Sequence, residues 1–157
     1  MSHNCLENIY NYLKISDKIA TAGQPSLEDF SHIKQAGYQV VVNLAFKDSS
    51  AALPHEQDIV EAQGMQYIHI PVIWENPKQE NFQDFIQIIK INAAQKVFVH
   101  CVANKRVSAF IYLYRRCIEG MDDQTAKQDL HKIWIPNQVW QQFIQEVVNR
   151  GELTVDS

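Results

Sequence analysis

Three short apolar runs rich in β-branched residues, QVVVNL at 39–44, QYIHIP at 66–71 and KVFVH at 96–100, are separated by stretches with the period of amphipathic helices. This alternation constrains the fold more than any other feature of the chain. Continuous apolar runs of that length suit strands buried on both faces. Strands alternating with helices then read as a mostly parallel sheet with helices packed on each side. Strand-like pieces at 12–15 and 18–22 bring the count up, so the expected class is α/β, with a mostly parallel central sheet of four to five strands and helices on both faces. The 157 residues suffice for one domain with a sizeable core, and 1–157 is taken as a single domain.

The helix boundaries follow from local chemistry. Ser26 can cap the first helix with Asp29 at the reciprocal position; Leu27, Phe30 and Ile33 share its apolar face, and it stops at Gly37. A second helix starts near Pro54, since proline is tolerated in a first turn, and ends at Gly64. A third, over 79–92, places Phe82, Phe85, Ile86 and Ile89 on one side. A fourth follows the strand at 96–100 and runs to about Glu119, and two more cover about 122–132 and 136–150.

Composition removes several function classes. With 46% hydrophobic and 20% charged residues the chain is neither disordered nor collagen-like nor a coiled coil. A net charge of -4 with 14 basic residues argues against nucleic acid as a partner. No apolar run approaches the roughly 18 residues of a membrane span, and no signal peptide is visible. Three cysteines at irregular spacing make no disulfide framework, which points to a reducing, cytoplasmic setting. Cys5 and Cys117 read as small buried hydrophobes. His32, His55 and His131 lack metal-ligand spacing, and His69 reads as a hydrogen-bonded structural histidine. No helix face is surplus to the core, so nothing fixes an oligomeric state.

In parallel sheets ligands bind beyond the carboxyl ends of the strands. The polar turns at 45–50, 74–77 and 101–107 should therefore share one edge. The last is the informative one. Val97-Phe98-Val99-His100 delivers Cys101 to a turn that opens into a helix. Successive backbone N–H groups of such a turn converge, and the helix dipole adds positive potential. Both favour an anion, either a thiolate on Cys101 or a phosphate above it.

The stretch His100-Cys101-Val102-Ala103-Asn104-Lys105-Arg106-Val107-Ser108 resembles the phosphate-binding loop of cysteine-dependent protein tyrosine and dual-specificity phosphatases: His-Cys, five residues, Arg, then Ser or Thr. Thr21-Ala22-Gly23-Gln24-Pro25-Ser26, Val42-Asn43-Leu44 and Tyr67-Ile68-His69-Ile70-Pro71-Val72 resemble the small bacterial phosphatase-like family DUF442, and the likeness spans about 15–116. It implies a dual-specificity-phosphatase-like fold and hydrolysis of a phosphomonoester through a phosphocysteine. The implied roles are Cys101 as nucleophile, Glu75 as general acid, Arg106 as oxyanion partner, Ser108 as donor to the departing thiolate and His100 as a buttress. Val102, Ala103, Asn104, Lys105, Arg106 and Val107 would bind phosphate. The implied chemistry uses no metal and no other cofactor. Its partners would be a phosphorylated protein or small molecule, with inorganic phosphate or sulfate able to fill the loop.

Two departures from the pattern are chemically specific. Only four residues separate Cys101 from Arg106, so without a gap Asn104 stands for the usual glycine, Val107 for the arginine and Ser108 for the Ser/Thr. Asparagine tolerates a left-handed turn best among non-glycine residues. A valine cannot grip phosphoryl oxygens as a guanidinium does. Where the family places an aspartate after its Ile-Pro strand, this chain has Trp74 and then Glu75, with Asp48 as the spare acid. Trp74 reads as a pocket wall. Two other functions compete. A six-residue cradle from Cys101 to Arg106 suits a rhodanese-like sulfurtransferase, and the Val107 replacement suits a catalytically weak phosphate-binding module.

Overall fold

The computed structural model describes residues 6–46, 48–49 and 51–156, with side chains described as far as residue 150. Cys5, Lys47 and Ser50 lie outside the described residues. The sheet has five strands in the order β1 (Leu13–Lys14), β2 (Ile19–Ala22), β5 (Val97–His100), β3 (Val40–Asn43) and β4 (Gln66–His69). The last four run parallel, and β1 turns back antiparallel on β2.

The strand pleat sends alternate side chains to opposite faces. Val40, Val42, Val97 and Val99 meet α3 (Gln79–Ile91), α4 (Lys105–Cys117), α5 (Asp123–Ile133) and α6 (Gln138–Asp156) through Phe85, Phe110, Leu130 and Trp140. Ala20, Ala22, Val41 and Phe98 meet α1 (Leu27–Gln35) and α2 (Glu56–Ala62) through Phe30, Ile33 and Val60. Each of these large apolar side chains contributes roughly 1.5–3 kcal/mol on burial. The expected mostly parallel sheet with helices on both faces is the architecture found. Among the described residues no helix is long and apolar enough to cross a membrane.

Ser26 caps α1 with a complete capping box: its hydroxyl accepts from the Asp29 N–H at 3.3 Å, and its own N–H donates to Asp29 Oδ2 at 2.8 Å. The buried stripe of α1 begins only at Phe30, because Leu27 is 59% exposed at the first helical position. α2 starts at Glu56 rather than near Pro54. His55 takes a left-handed φ of 61°, which an α-helix cannot contain, and the chain turns into the helix only after it.

Strand register fixes the working edge of the molecule. Asn43 stands opposite both His69 and His100, and His100 stands opposite Ala22, so four parallel strands end abreast. The turns after β2, β3, β4 and β5 all open from that edge.

Candidate active site

Cys101 follows β5 directly, and α4 begins four residues later. Asn104 makes the bend between them possible with φ 64° and ψ 4°, the left-handed conformation that glycine would otherwise supply. Its side chain also ties the loop down. Nδ2 donates to the Asn11 carbonyl at 2.8 Å and to Thr21 Oγ1 at 3.0 Å, while Asn11 Nδ2 donates back to the Ala103 carbonyl at 3.0 Å.

Three successive loop carbonyls are held in this way. Cys101 O lies 3.2 Å from His100 Nδ1, Val102 O accepts from the Gln24 N–H at 3.0 Å, and Ala103 O accepts from Asn11. In a planar trans peptide the C=O and the following N–H point in opposite directions. Holding these carbonyls fixes the direction of the amides after them. Among the described residues, the N–H groups of Val102, Ala103, Lys105, Arg106 and Val107 meet no backbone acceptor. The last three belong to the first turn of α4, where no intrahelical partner exists.

A cavity of about 340 Å³ opens over this loop, lined by Ser49, Trp74, Cys101, Val102, Ala103, Lys105 and Arg106. Two of those residues carry positive charge and none carries negative charge. Arg106 is buried: Nη1 donates to the Val72 carbonyl at 2.9 Å, and the guanidinium carbon sits 5.7 Å from the Trp74 ring centroid. The short spacing after Cys101 thus brings Arg106 to the cavity. Val107, one residue on, turns into the hydrophobic core.

The wall beside the cavity is aromatic and braced. All three tryptophans of the chain meet here, with centroids of Trp74 and Trp134 at 5.4 Å, Trp74 and Trp140 at 6.0 Å, and Trp134 and Trp140 at 6.2 Å. The Trp140 indole N–H donates to the Trp74 carbonyl at 2.9 Å, and Lys105 Nζ stands 5.6 Å over Trp134. A neighbouring cavity of about 490 Å³ shares Ser49 and is bounded by Phe46, Leu53, His55, Asp58 and Tyr67. Burial pushes the Tyr67 phenol up to about 12, so it stands there as a neutral hydroxyl, accepting from Asn43 Nδ2 at 3.0 Å.

The sequence-predicted residues divide. Cys101, Arg106, Lys105, Val102 and Ala103 line one cavity, Asn104 shapes its floor, and His100 bonds back to the Cys101 carbonyl. Ser108 does not fill the place expected of it. Its hydroxyl donates to the Lys105 carbonyl at 2.9 Å and accepts from the Trp134 indole at 3.1 Å, so its proton is committed to the helix and not to Cys101. Glu75 and Asp48 are both exposed and neither lines the cavity, although each adjoins a residue that does, Trp74 and Ser49. His69 is the bonded structural histidine expected, its Nε2 2.5 Å from the Ala45 carbonyl.

Sequence reasoning left out Asn11, Glu56 and Trp134 as parts of the site. The reason Gly23 must be glycine also appears only in three dimensions. A Cβ there would stand 2.6 Å from the Val102 carbonyl and 2.8 Å from the Tyr10 ring, in a place where Gly23 also forms a bridge with Ala103. Gly23→Ala is expected to cost about 1–3 kcal/mol, the usual range for overpacking. Urea denaturation reads that loss, and an unchanged midpoint would show that the backbone yields at no cost.

A family model described as DSP-PTPase phosphatase fused to NAD+ kinase matches residues 10–152. The structure of a DUF442 protein from Shewanella putrefaciens CN-32 superposes with a TM-score of 0.84 at 33% identity, covering 94% of this chain and 97% of that one. The core catalytic domain of a PP-IP phosphatase from S. cerevisiae, solved with citrate, shares the fold with a TM-score of 0.74 at 16% identity, over 87% of this chain and 85% of that one. A beta-lactamase hydrolase-like protein of Xylella fastidiosa is 27% identical over 109 residues, 68% of this chain and 25% of the relative. The chain spans about a quarter of the length of the curated relatives it matches.

Proposed function

Since this chain belongs to the phosphatase family described as DSP-PTPase fused to NAD+ kinase, we propose that it hydrolyses a phosphomonoester with Cys101 as nucleophile. The observation that carries this reading is the cavity over Cys101, which has two cations, unpaired loop amides and no carboxylate in its wall. Such a site holds a doubly charged tetrahedral anion in front of a sulfur nucleophile.

In the first step Cys101 Sγ attacks phosphorus and the P–O ester bond breaks. The leaving oxygen takes a proton from a carboxyl group at the rim, for which Glu75 is the first candidate. The amides of Val102, Ala103, Lys105, Arg106 and Val107, together with the Arg106 guanidinium, stabilise the charge on the equatorial oxygens. In the second step water attacks the phosphocysteine, gives its proton to the same carboxylate, and the S–P bond breaks to release phosphate and the thiolate. Trp74, braced by Trp134 and Trp140, holds one wall rigid against the substrate and against Arg106.

Alkylation tests the anion site and the nucleophile together. Iodoacetamide at pH 6 should label Cys101 well before Cys117, and millimolar phosphate should protect it. A Cys101 that reacts no faster than Cys117, with or without phosphate, would remove the nucleophile. A protein that turns over no phosphate ester yet transfers sulfur from thiosulfate to cyanide would replace phosphatase by sulfurtransferase.

A further inference from the structure

The mechanism leaves unused one buried charged side chain close to the loop. Glu56, the first residue of α2, is 6% exposed, and its two oxygens have separate partners: Oε2 lies 2.6 Å from Nε2 of fully buried His100, and Oε1 accepts from Gln24 Nε2 at 2.9 Å. On its far side His100 Nδ1 faces the Cys101 carbonyl at 3.2 Å. A carbonyl can only accept, so this contact is a hydrogen bond in the form that carries hydrogen on Nδ1, with Oε2 facing Nε2 on the other side of the ring. Gln24, for its part, donates its backbone N–H to the Val102 carbonyl at 3.0 Å.

Both ends of the chain Gln24–Glu56–His100 therefore hold carbonyls of the cysteine loop. The peptide whose oxygen faces His100 carries the Val102 N–H, and the peptide whose oxygen faces Gln24 carries the Ala103 N–H. These are two of the amides left without a backbone acceptor.

We propose that Glu56 is a positioning residue: by holding the imidazole of His100 and the amide of Gln24 together, it aims the Val102 and Ala103 N–H groups at the phosphoryl site. This rests on the phosphatase reading only in taking the occupant to be phosphate. Glu56 touches neither Cys101 nor the cavity over it, and acts through its two partners. It also ties the start of α2, and so the connection from β3 that carries Ser49, to the nucleophile's own strand.

The test separates hydrogen-bond geometry from charge and from mere stability. Glu56→Gln keeps an acceptor for Gln24 and offers an N–H to His100 Nε2, which leaves Nδ1–H on the Cys101 carbonyl. Glu56→Ala supplies neither bond. With Cys101 alkylation as the readout, the phosphate concentration for half protection should stay within about threefold of wild type in Glu56→Gln. In Glu56→Ala it should rise roughly tenfold or more, as losing both buried hydrogen bonds would predict. A folded Glu56→Ala protected at the wild-type concentration overturns the proposal, and so does Glu56→Gln impaired as badly as Glu56→Ala. Nitrogen-15 NMR of His100 in the unmutated protein serves if the alanine variant does not fold: a protonated Nδ1 is expected, and a bare Nδ1 overturns the proposal. Protection requires no turnover. A protein inactive on every phosphate ester whose Glu56 series still behaves as stated would sink the phosphatase reading and keep the positioning role.

Discussion

Cys101→Ser should lose hydrolysis of an aryl phosphate such as p-nitrophenyl phosphate down to background, a fall of about 10³-fold or more. The serine hydroxyl fits the space of the thiol, which is 1% exposed at the end of β5, so the sheet and loop should keep their geometry. What changes is the proposed nucleophile. An alkoxide is far harder to form than a thiolate, and among the described residues that line the cavity none is a histidine or a carboxylate held beside Cys101. The amides and Arg106 remain, and with them anion binding. Phosphate should therefore raise the melting temperature of Cys101→Ser as much as it raises that of the wild type. A variant that retains turnover would mean the phosphoryl group never passes through sulfur. One that loses turnover and phosphate binding together would mean the substitution disturbed the loop and said nothing about the nucleophile.

The architecture was legible because it depends on pattern. Val40–Asn43 and Val97–His100 are too apolar on both faces to be anything but central strands, and the helical segments between them leave a parallel sheet as the simple solution. The left-handed place of Asn104 was legible too, since it follows from the residue type and its position in the loop.

Long-range pairing was not legible. Nothing near Glu56 in the sequence announces His100, 44 residues away, or Asn11 as the partner of Asn104, 93 residues away. Pairings of this kind arise only when strand register brings Ala22, His100 and Asn43 abreast. Motif alignment alone does not place the arginine either. Counting five residues after Cys101 puts Val107 in the arginine's place, whereas the geometry of α4 turns Val107 into the core and Arg106 to the cavity. Ser108 matched its motif position, yet its hydroxyl donates to the Lys105 carbonyl and accepts from the indole of Trp134, a residue outside the motif.

The proposed general acid gives the second large effect. Both candidate carboxylates are exposed and each adjoins a residue of the cavity wall, Glu75 in the turn after Trp74 and Asp48 in the connection before Ser49. Trp74 is fixed by tilted ring contacts with Trp134 and Trp140 and by the Trp140 hydrogen bond to its carbonyl, so the backbone that carries Glu75 is anchored at the cavity wall itself. The turn around Asp48 is held, among the described hydrogen bonds, by local ties such as the Ser49 N–H to the Phe46 carbonyl at 3.3 Å, and the Asp48 side chain takes no part in them. Anchoring favours Glu75, whose longer side chain can swing from the turn to a leaving oxygen above Cys101. Glu75→Gln is therefore expected to lower kcat on an alkyl phosphate by roughly 10²–10⁴, the usual share of a general acid. On an aryl phosphate whose leaving group departs without a proton the loss should shrink to a few-fold. Asp48→Asn should leave both rates within about threefold. The reverse pattern would transfer the role to Asp48. Two silent variants would mean that protonation of the leaving group comes from water, and that the loop amides with Arg106 carry most of the barrier lowering by themselves.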